Sequence, residues 1–170
     1  MSAKGVIIIG SSRSKGNTYT IVSQLQQQTG FDVIDLKAYK INHFDYDLKN
    51  EDDFNALFKK ITATYEIFVF ATPIYWYTMS GVLKVFFDRI SDFLFEEKEI
   101  GRRLRGKKMG VVSCGSDQEI KEGFIMPFTE SANYLGMQYL GDIHTWIENK
   151  KITQEVAQRI TEFANRLMEK

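Results

Sequence analysis

Short apolar runs alternate along this chain with stretches whose apolar residues return every three or four positions. "VIIIG" at 6–10 is a continuous apolar run closed by a glycine, the pattern of a strand buried on both faces. In "NTYTIVSQLQQQTG" Ile21, Val22 and Leu25 have helical spacing, and Gly30 supplies a stop. "FDVIDL" predicts a second strand. After the polar stretch "KAYKINHFDYDLKN", the residues Phe54, Leu57, Phe58 and Ile61 mark a second helix. "EIFVFAT" is the third strand, and beyond the loop that follows it Ser80 is placed to cap a helix carrying Leu83, Phe86, Phe87, Ile90 and Phe93.

The same alternation continues to the end of the chain. "EEKEIGRRLRGKK" is a charged connector, its acidic and basic residues interleaved as on a solvated surface. "MGVVSCG" predicts a fourth strand, "DQEIKEGFIMPFTESANYLG" a helix disturbed by Gly123 and Pro127, and "MQYLGDIHTW" a fifth strand. The last helix carries Val156, Ile160, Phe163 and Leu167 on one stripe, with Thr153 in the capping position. Five strands alternating with helices imply an α/β fold with a doubly wound parallel sheet, in one domain spanning residues 1–170. Ligands of such sheets sit outside the carboxyl ends of the strands. The turns after the first, third and fourth strands therefore carry the candidate chemistry.

Composition narrows the classes of function. With 170 residues the chain is long enough to bury about 70% of its unfolded surface without disulfide or metal support. Its 22 basic and 22 acidic residues cancel, which argues against a nucleic-acid partner and for small molecules. A single cysteine, Cys114, fits a reducing compartment such as the cytoplasm, and the opening "MSAKGVIIIG" is too short in its apolar part for a signal peptide. The charge-free run from Ile67 to Leu83 approaches the lower length of a membrane span, roughly 17 residues. Its order of β-branched residues, then proline and polar residues, then glycine reads instead as strand, loop and helix start, so no membrane span is expected.

The first turn, "GSSRSKGNT", lies between a strand and a helix whose exposed amides favour an anion. A triphosphate loop would have lysine after its second glycine, where Asn17 stands, and a dinucleotide fingerprint would have glycine where Ser12 stands. A single phosphate monoester suits what remains, beside the plainer alternative of a helix cap rich in turn residues. The second turn gathers Tyr75, Trp76 and Tyr77, which either lie against a planar heterocycle or pack on neighbouring helices or a second subunit. In the third, "SCGSDQ", the small residues Ser113, Gly115 and Ser116 admit close approach of a ligand, and Asp117 is placed to cap the next helix. Cys114 reads as an inert, semi-buried residue. His43 and His144 lack metal-site spacing and read as structural or surface residues, so neither a metal site nor a side-chain nucleophile is expected.

Together, "GSSRSKGNT", "TPIYWYTMSGVLKVFFDR" and the glycine-containing turn after the fourth strand resemble the flavodoxin-like NAD(P)H-dependent FMN reductase and quinone reductase family. The second motif is the more specific: Thr-Pro-x-Tyr, then Gly-x-Leu-Lys, then Asp-Arg. The resemblance implies a three-layer sandwich around a five-stranded parallel sheet of order 2-1-3-4-5, non-covalent FMN, and NAD(P)H as co-substrate. It also implies a small acceptor such as a quinone, and a homodimer or homotetramer. By position, Ser11, Arg13, Ser14, Asn17 and Thr18 would hold the FMN phosphate. Pro73, Ile74, Tyr75, Trp76 and Tyr77 would line the isoalloxazine, with Ser113, Gly115 and Ser116 on its other margin. A flavin-binding electron carrier and a non-catalytic, partner-binding subunit of the same fold are the alternatives.

Overall fold

The computed structural model describes residues 4–47 and 49–169. Residues 1–3 of the opening segment, Leu48 of the polar stretch and Lys170 of the segment predicted as the last helix lie outside the described residues. The strands are β1 (Gly5–Ile9), β2 (Asp32–Asp35), β3 (Ile67–Tyr75), β4 (Thr78–Met79), β5 (Lys108–Gly115) and β6 (Gln138–Trp146). The helices are α1 (Asn17–Thr29), α2 (Phe54–Thr64), α3 (Gly81–Arg89), α4 (Asp92–Phe95), α5 (Lys98–Gly101), α6 (Met126–Leu135) and α7 (Gln154–Met168). The sheet runs β2-β1-β3-β5-β6, all parallel, while two-residue β4 folds back antiparallel on β3 alone. Counting the parallel strands gives the expected order 2-1-3-4-5.

Alternation along the strands divides the core in two. Val6 and Ile8 of β1 face α2, α3 and α6, where Phe54, Phe58, Phe86 and Phe128 fill one layer. Ile7 and Ile9 face α1 and α7, against Ile21, Leu25, Ile160 and Phe163. Both faces are covered, which is why these strands read as unbroken apolar runs. Gly30 ends α1 in a left-handed conformation with φ 69°, and Ser80 and Thr153 accept the Leu83 and Val156 amides as helix caps.

Two of the predicted helices depart from the sequence pattern, besides the short α5 within the charged connector and the β3–β4 pairing within the expected loop. The helix expected over 117–136 forms only from Met126, because Gly123 takes φ 89° and Pro127, without an amide donor, fits only the first helical turn. Asp117 therefore caps no helix. The helix expected to run through Phe93 stops at Arg89, and α4 follows as a separate turn. Arg89 is fully buried at that break. Its guanidinium pairs with Asp52 and Asp92, donates to the Asn42 carbonyl at 3.1 Å and lies 4.7 Å from the Phe54 ring centroid. One cation thereby ties the polar stretch before α2 to the α3–α4 corner.

Candidate flavin-binding site

The site forms where β1, β3, β5 and β6 end. At the end of β1, the Gly10 amide donates to the Ala71 carbonyl at 2.8 Å and the Gly10 carbonyl accepts from the Ser80 hydroxyl at 2.6 Å. A Cβ on Gly10 would stand 2.4 Å from Leu83 Cβ, so only glycine lets α3 approach this closely. The chain then leaves the sheet. Ser11 is buried and its hydroxyl accepts the Arg13 amide at 3.2 Å, while Arg13, Ser14, Lys15 and Asn17 are exposed and Thr18 is buried. Gly16 stands at the N-cap of α1 without a side-chain capping bond, which leaves the first helix amides open to an anion. Arg13 and Lys15 add positive charge to that end.

Two cross-links fix this turn. Lys37, just after β2, donates from Nζ to the Ser12 carbonyl at 2.8 Å, and the Ser12 hydroxyl lies 2.9 Å from the Tyr75 hydroxyl. The anion turn and the aromatic turn are thus hydrogen-bonded across 63 residues of sequence.

The aromatic turn is a two-residue hairpin. Ile74 pairs with Met79 and Tyr75 with Thr78, so Trp76 and Tyr77 take the two central positions, at φ 48° and 65°. Glycine and asparagine are the usual occupants of such positions, because left-handed backbone costs other residues on the order of 1–3 kcal/mol each. Here the positions hold aromatic rings, 91% and 66% exposed. Behind them the Ser80 amide donates to the Thr72 hydroxyl at 3.0 Å, and that hydroxyl donates to the Pro73 carbonyl at 2.8 Å.

The third turn follows β5. Ser113 is fully buried, with its hydroxyl 2.9 Å from His144 Nδ1 on neighbouring β6. His144 Nε2 lies 2.8 Å from the Asp117 carbonyl oxygen. Burial pushes the Cys114 thiol up, away from thiolate character, against hydrogen bonds with Thr145 and Thr18 that act the other way.

Two adjoining cavities open between these turns. The larger, about 580 Å³, lies within the roughly 300–1,000 Å³ range of cofactor sites. It brings together Ser11, Arg13, Asn17 and Thr18 at one end, with Pro73, Ile74, Tyr75, Gly115 and Ser116 along the sheet. The smaller, about 210 Å³, shares Ile74, Gly115 and Ser116 and is walled by Trp76, Tyr77, Ile120, Phe124 and His144. The predicted residues thus divide between two cavities, with two exceptions. Ser14 is exposed outside both linings, and Ser113 lies beneath its turn instead of lining either. Sequence reasoning missed Thr20, Ile147 and Lys150 in the larger cavity, which Cys114 also lines, and His144 and Phe124 in the smaller. The carboxyl-end rule applied also to the fifth strand would have found Ile147 and Lys150.

Residues 3–152 match the family model described as NADPH-dependent FMN reductase. The chain belongs to that family. Among the family's relatives, a Bacillus subtilis protein assigned as an NAD(P)H-dependent FMN-containing oxidoreductase, YwqN, is 32% identical over 152 residues, covering 81% of this chain and 82% of its own. The solved structure of a Trp repressor binding protein from Bacillus subtilis superposes with a TM-score of 0.74 at 25% identity, covering 98% of this chain and 99% of that one. An FMN-dependent NADH-azoreductase from Bacillus anthracis, solved with FMN, shares the fold at a TM-score of 0.71 and 10% identity, over 98% of this chain and all (100%) of the other. The protein is a flavodoxin-like oxidoreductase, and no helix among the described residues is long and apolar enough to cross a membrane.

The residues of the larger cavity fit the flavin of this family. Arg13, Lys15 and Lys150 are its charged lining residues, all cationic, and the open N-terminus of α1 adds further donors for a phosphate. Pro73 and Ile74 would supply an apolar wall for a ring system, with Gly115 and Ser116 lining the same cavity.

Proposed function

We propose that this chain uses bound FMN to pass reducing equivalents from NAD(P)H to a small acceptor such as a quinone. The observation that carries the reading is the Ser12–Tyr75 hydrogen bond, which joins the anion turn to the aromatic hairpin beside the larger cavity at the sheet's carboxyl edge. When bound, the flavin supplies the hydride chemistry, and no side chain need act as a nucleophile. Ser11, Arg13, Asn17 and Thr18, with Ser14 from the exposed part of the turn, hold the phosphate. Pro73, Ile74 and Tyr75 orient the ring plane, Gly115 and Ser116 offer backbone to its polar edge, and Ser113 fixes that turn from beneath. Trp76 and Tyr77 wall the adjoining cavity, where a planar nicotinamide or acceptor would be shielded from water.

The same reading places the protein in the cytoplasm as a single domain assembled into a homodimer or homotetramer, which sedimentation of the purified protein would read. The deciding experiment is flavin titration of the purified protein followed by NADH and NADPH consumption with menadione. The expected result is stoichiometric FMN uptake and turnover that requires it. A protein that takes up no FMN would overturn the proposal, and one that binds FMN without oxidising NADH or NADPH would be a carrier of the same fold.

A further inference from the structure

His144 lines the smaller cavity, packed against Gly115 of the turn that both cavities share, and the proposed hydride transfer gives it no part. It lies on β6 directly opposite Ser113 of β5 and is 7% exposed. Both ring nitrogens are engaged. Nε2 is 2.8 Å from the Asp117 carbonyl oxygen, which can only accept, so Nε2 carries the proton. In the neutral ring Nδ1 is then an acceptor, and the Ser113 hydroxyl donates to it at 2.9 Å in preference to the Ile143 carbonyl at 3.4 Å.

The backbone that carries the ring is held as well. Thr145 donates from its hydroxyl to the Ser113 carbonyl at 2.7 Å, and Arg159 of α7 donates to the His144 backbone carbonyl at 3.3 Å. These bonds tie β6 at His144 to β5 and to α7. The outer nitrogen of the ring reaches into a segment without helix or strand, residues 116–125, which begins with the turn that lines both cavities. The backbone of that turn packs on the ring, since a Cβ on Gly115 would stand 3.0 Å from His144 Cε1.

We propose that His144 is a positioning residue for the flavin: a strut from the sheet that fixes turn 115–117, so that one ring sets both the flavin seat and the wall of the acceptor cavity. This rests on the reading of the larger cavity as the FMN site. An imidazole buried only for packing would spend its bonds within the core, whereas this ring uses one nitrogen on Ser113 and the other on the ligand-lining turn. With the Asp117 carbonyl turned to the ring, the Gln118 amide of the same trans peptide points the opposite way, so the strut also orients the turn's donors.

The test compares His144→Gln, whose terminal amide can reach the Asp117 carbonyl, with His144→Asn, which can serve Ser113 but is too short for Asp117, and His144→Leu, which serves neither. Dissociation constants for FMN and riboflavin are read by flavin fluorescence, together with imidazole nitrogen shifts of the flavin-free wild type. Binding within threefold of wild type for the glutamine variant, and at least tenfold weaker for asparagine and leucine with both flavins equally, supports the strut. If the leucine variant does not fold, the glutamine and asparagine pair still decides. Wild-type affinity in all variants, or a flavin-free ring protonated on Nδ1 alone, overturns it. Failure of the wild type to bind either flavin overturns the functional reading itself, a result distinct from wild-type binding with indifferent variants.

Discussion

The Ser80 hydroxyl donates to the Gly10 carbonyl at 2.6 Å and accepts the Leu83 amide at 3.1 Å, so one side chain both caps α3 and closes the end of β1. The strand that delivers the anion turn and the helix that follows the aromatic hairpin are thereby locked together. Losing a helix cap costs about 1 kcal/mol, and leaving a buried acceptor without its partner costs roughly 1–3 kcal/mol. Ser80→Ala is expected to lower unfolding free energy by about 2–3 kcal/mol in urea denaturation and to weaken FMN binding, because the two turns lose their common tie. Unchanged flavin affinity in a destabilised variant would confine Ser80 to a structural part.

Arg13 is exposed in the first turn, at the end of the larger cavity where the FMN phosphate is proposed to sit. A charge-assisted contact of this kind is worth about 1.5 kcal/mol, on the order of tenfold in affinity. Arg13→Ala should weaken FMN about tenfold while leaving riboflavin, which lacks the phosphate, within twofold of wild type. Equal losses for both flavins in fluorescence titrations would move the phosphate elsewhere in the groove.

Trp76 and Tyr77 occupy left-handed positions that an Asn-Gly pair would fill without strain. Replacing both by Asn-Gly should raise unfolding free energy by about 1 kcal/mol or more, since strain is relieved and little burial is lost at such exposed rings. If the rings serve the acceptor cavity, the same variant should show a raised KM for the acceptor with FMN affinity kept. A stabilised protein with wild-type steady-state kinetics would leave the aromatic tip without a part in turnover.

The strands and two of the caps were legible because burial on both faces leaves continuous apolar runs, and because Ser80 and Thr153 stand directly before their helices, whereas the strand order was carried only by the family resemblance. The loop over 117–125 was not legible. Glu119 and Ile120 continue a plausible helical pattern, and only Gly123 at φ 89° and the place of Pro127 in the first turn reveal where the helix begins. The anion turn could be read as a motif, whereas His144 could not. Its partners Ser113 and Asp117 come from the preceding strand and its loop, and parallel register, which no local pattern encodes, sets it opposite Ser113. Arg89 was visible only as part of a motif; its carboxylate partner Asp52 lies 37 residues away.

That buried pair predicts how the protein responds to acid. Burial would raise the Asp52 carboxyl, but hydrogen bonds from Arg89 and from the Asn42 and Phe54 amides outweigh it and hold the group below its ordinary 3.8. Between the lowered folded value and 3.8 the unfolded chain binds more protons, so unfolding free energy rises with pH across that window. The stabilisation is complete above 3.8 and is lost as pH falls through the folded value. Asp52→Asn removes this titration and also leaves Arg89 with Asp92 as its remaining carboxylate partner, a loss on the order of 3 kcal/mol at neutral pH for a broken buried pair. Denaturation midpoints measured from pH 7 down into the acid range should therefore start lower in the variant and fall less steeply below about pH 4. Parallel curves for the two proteins would show that the Arg89–Asp52 pair does not set the acid limb.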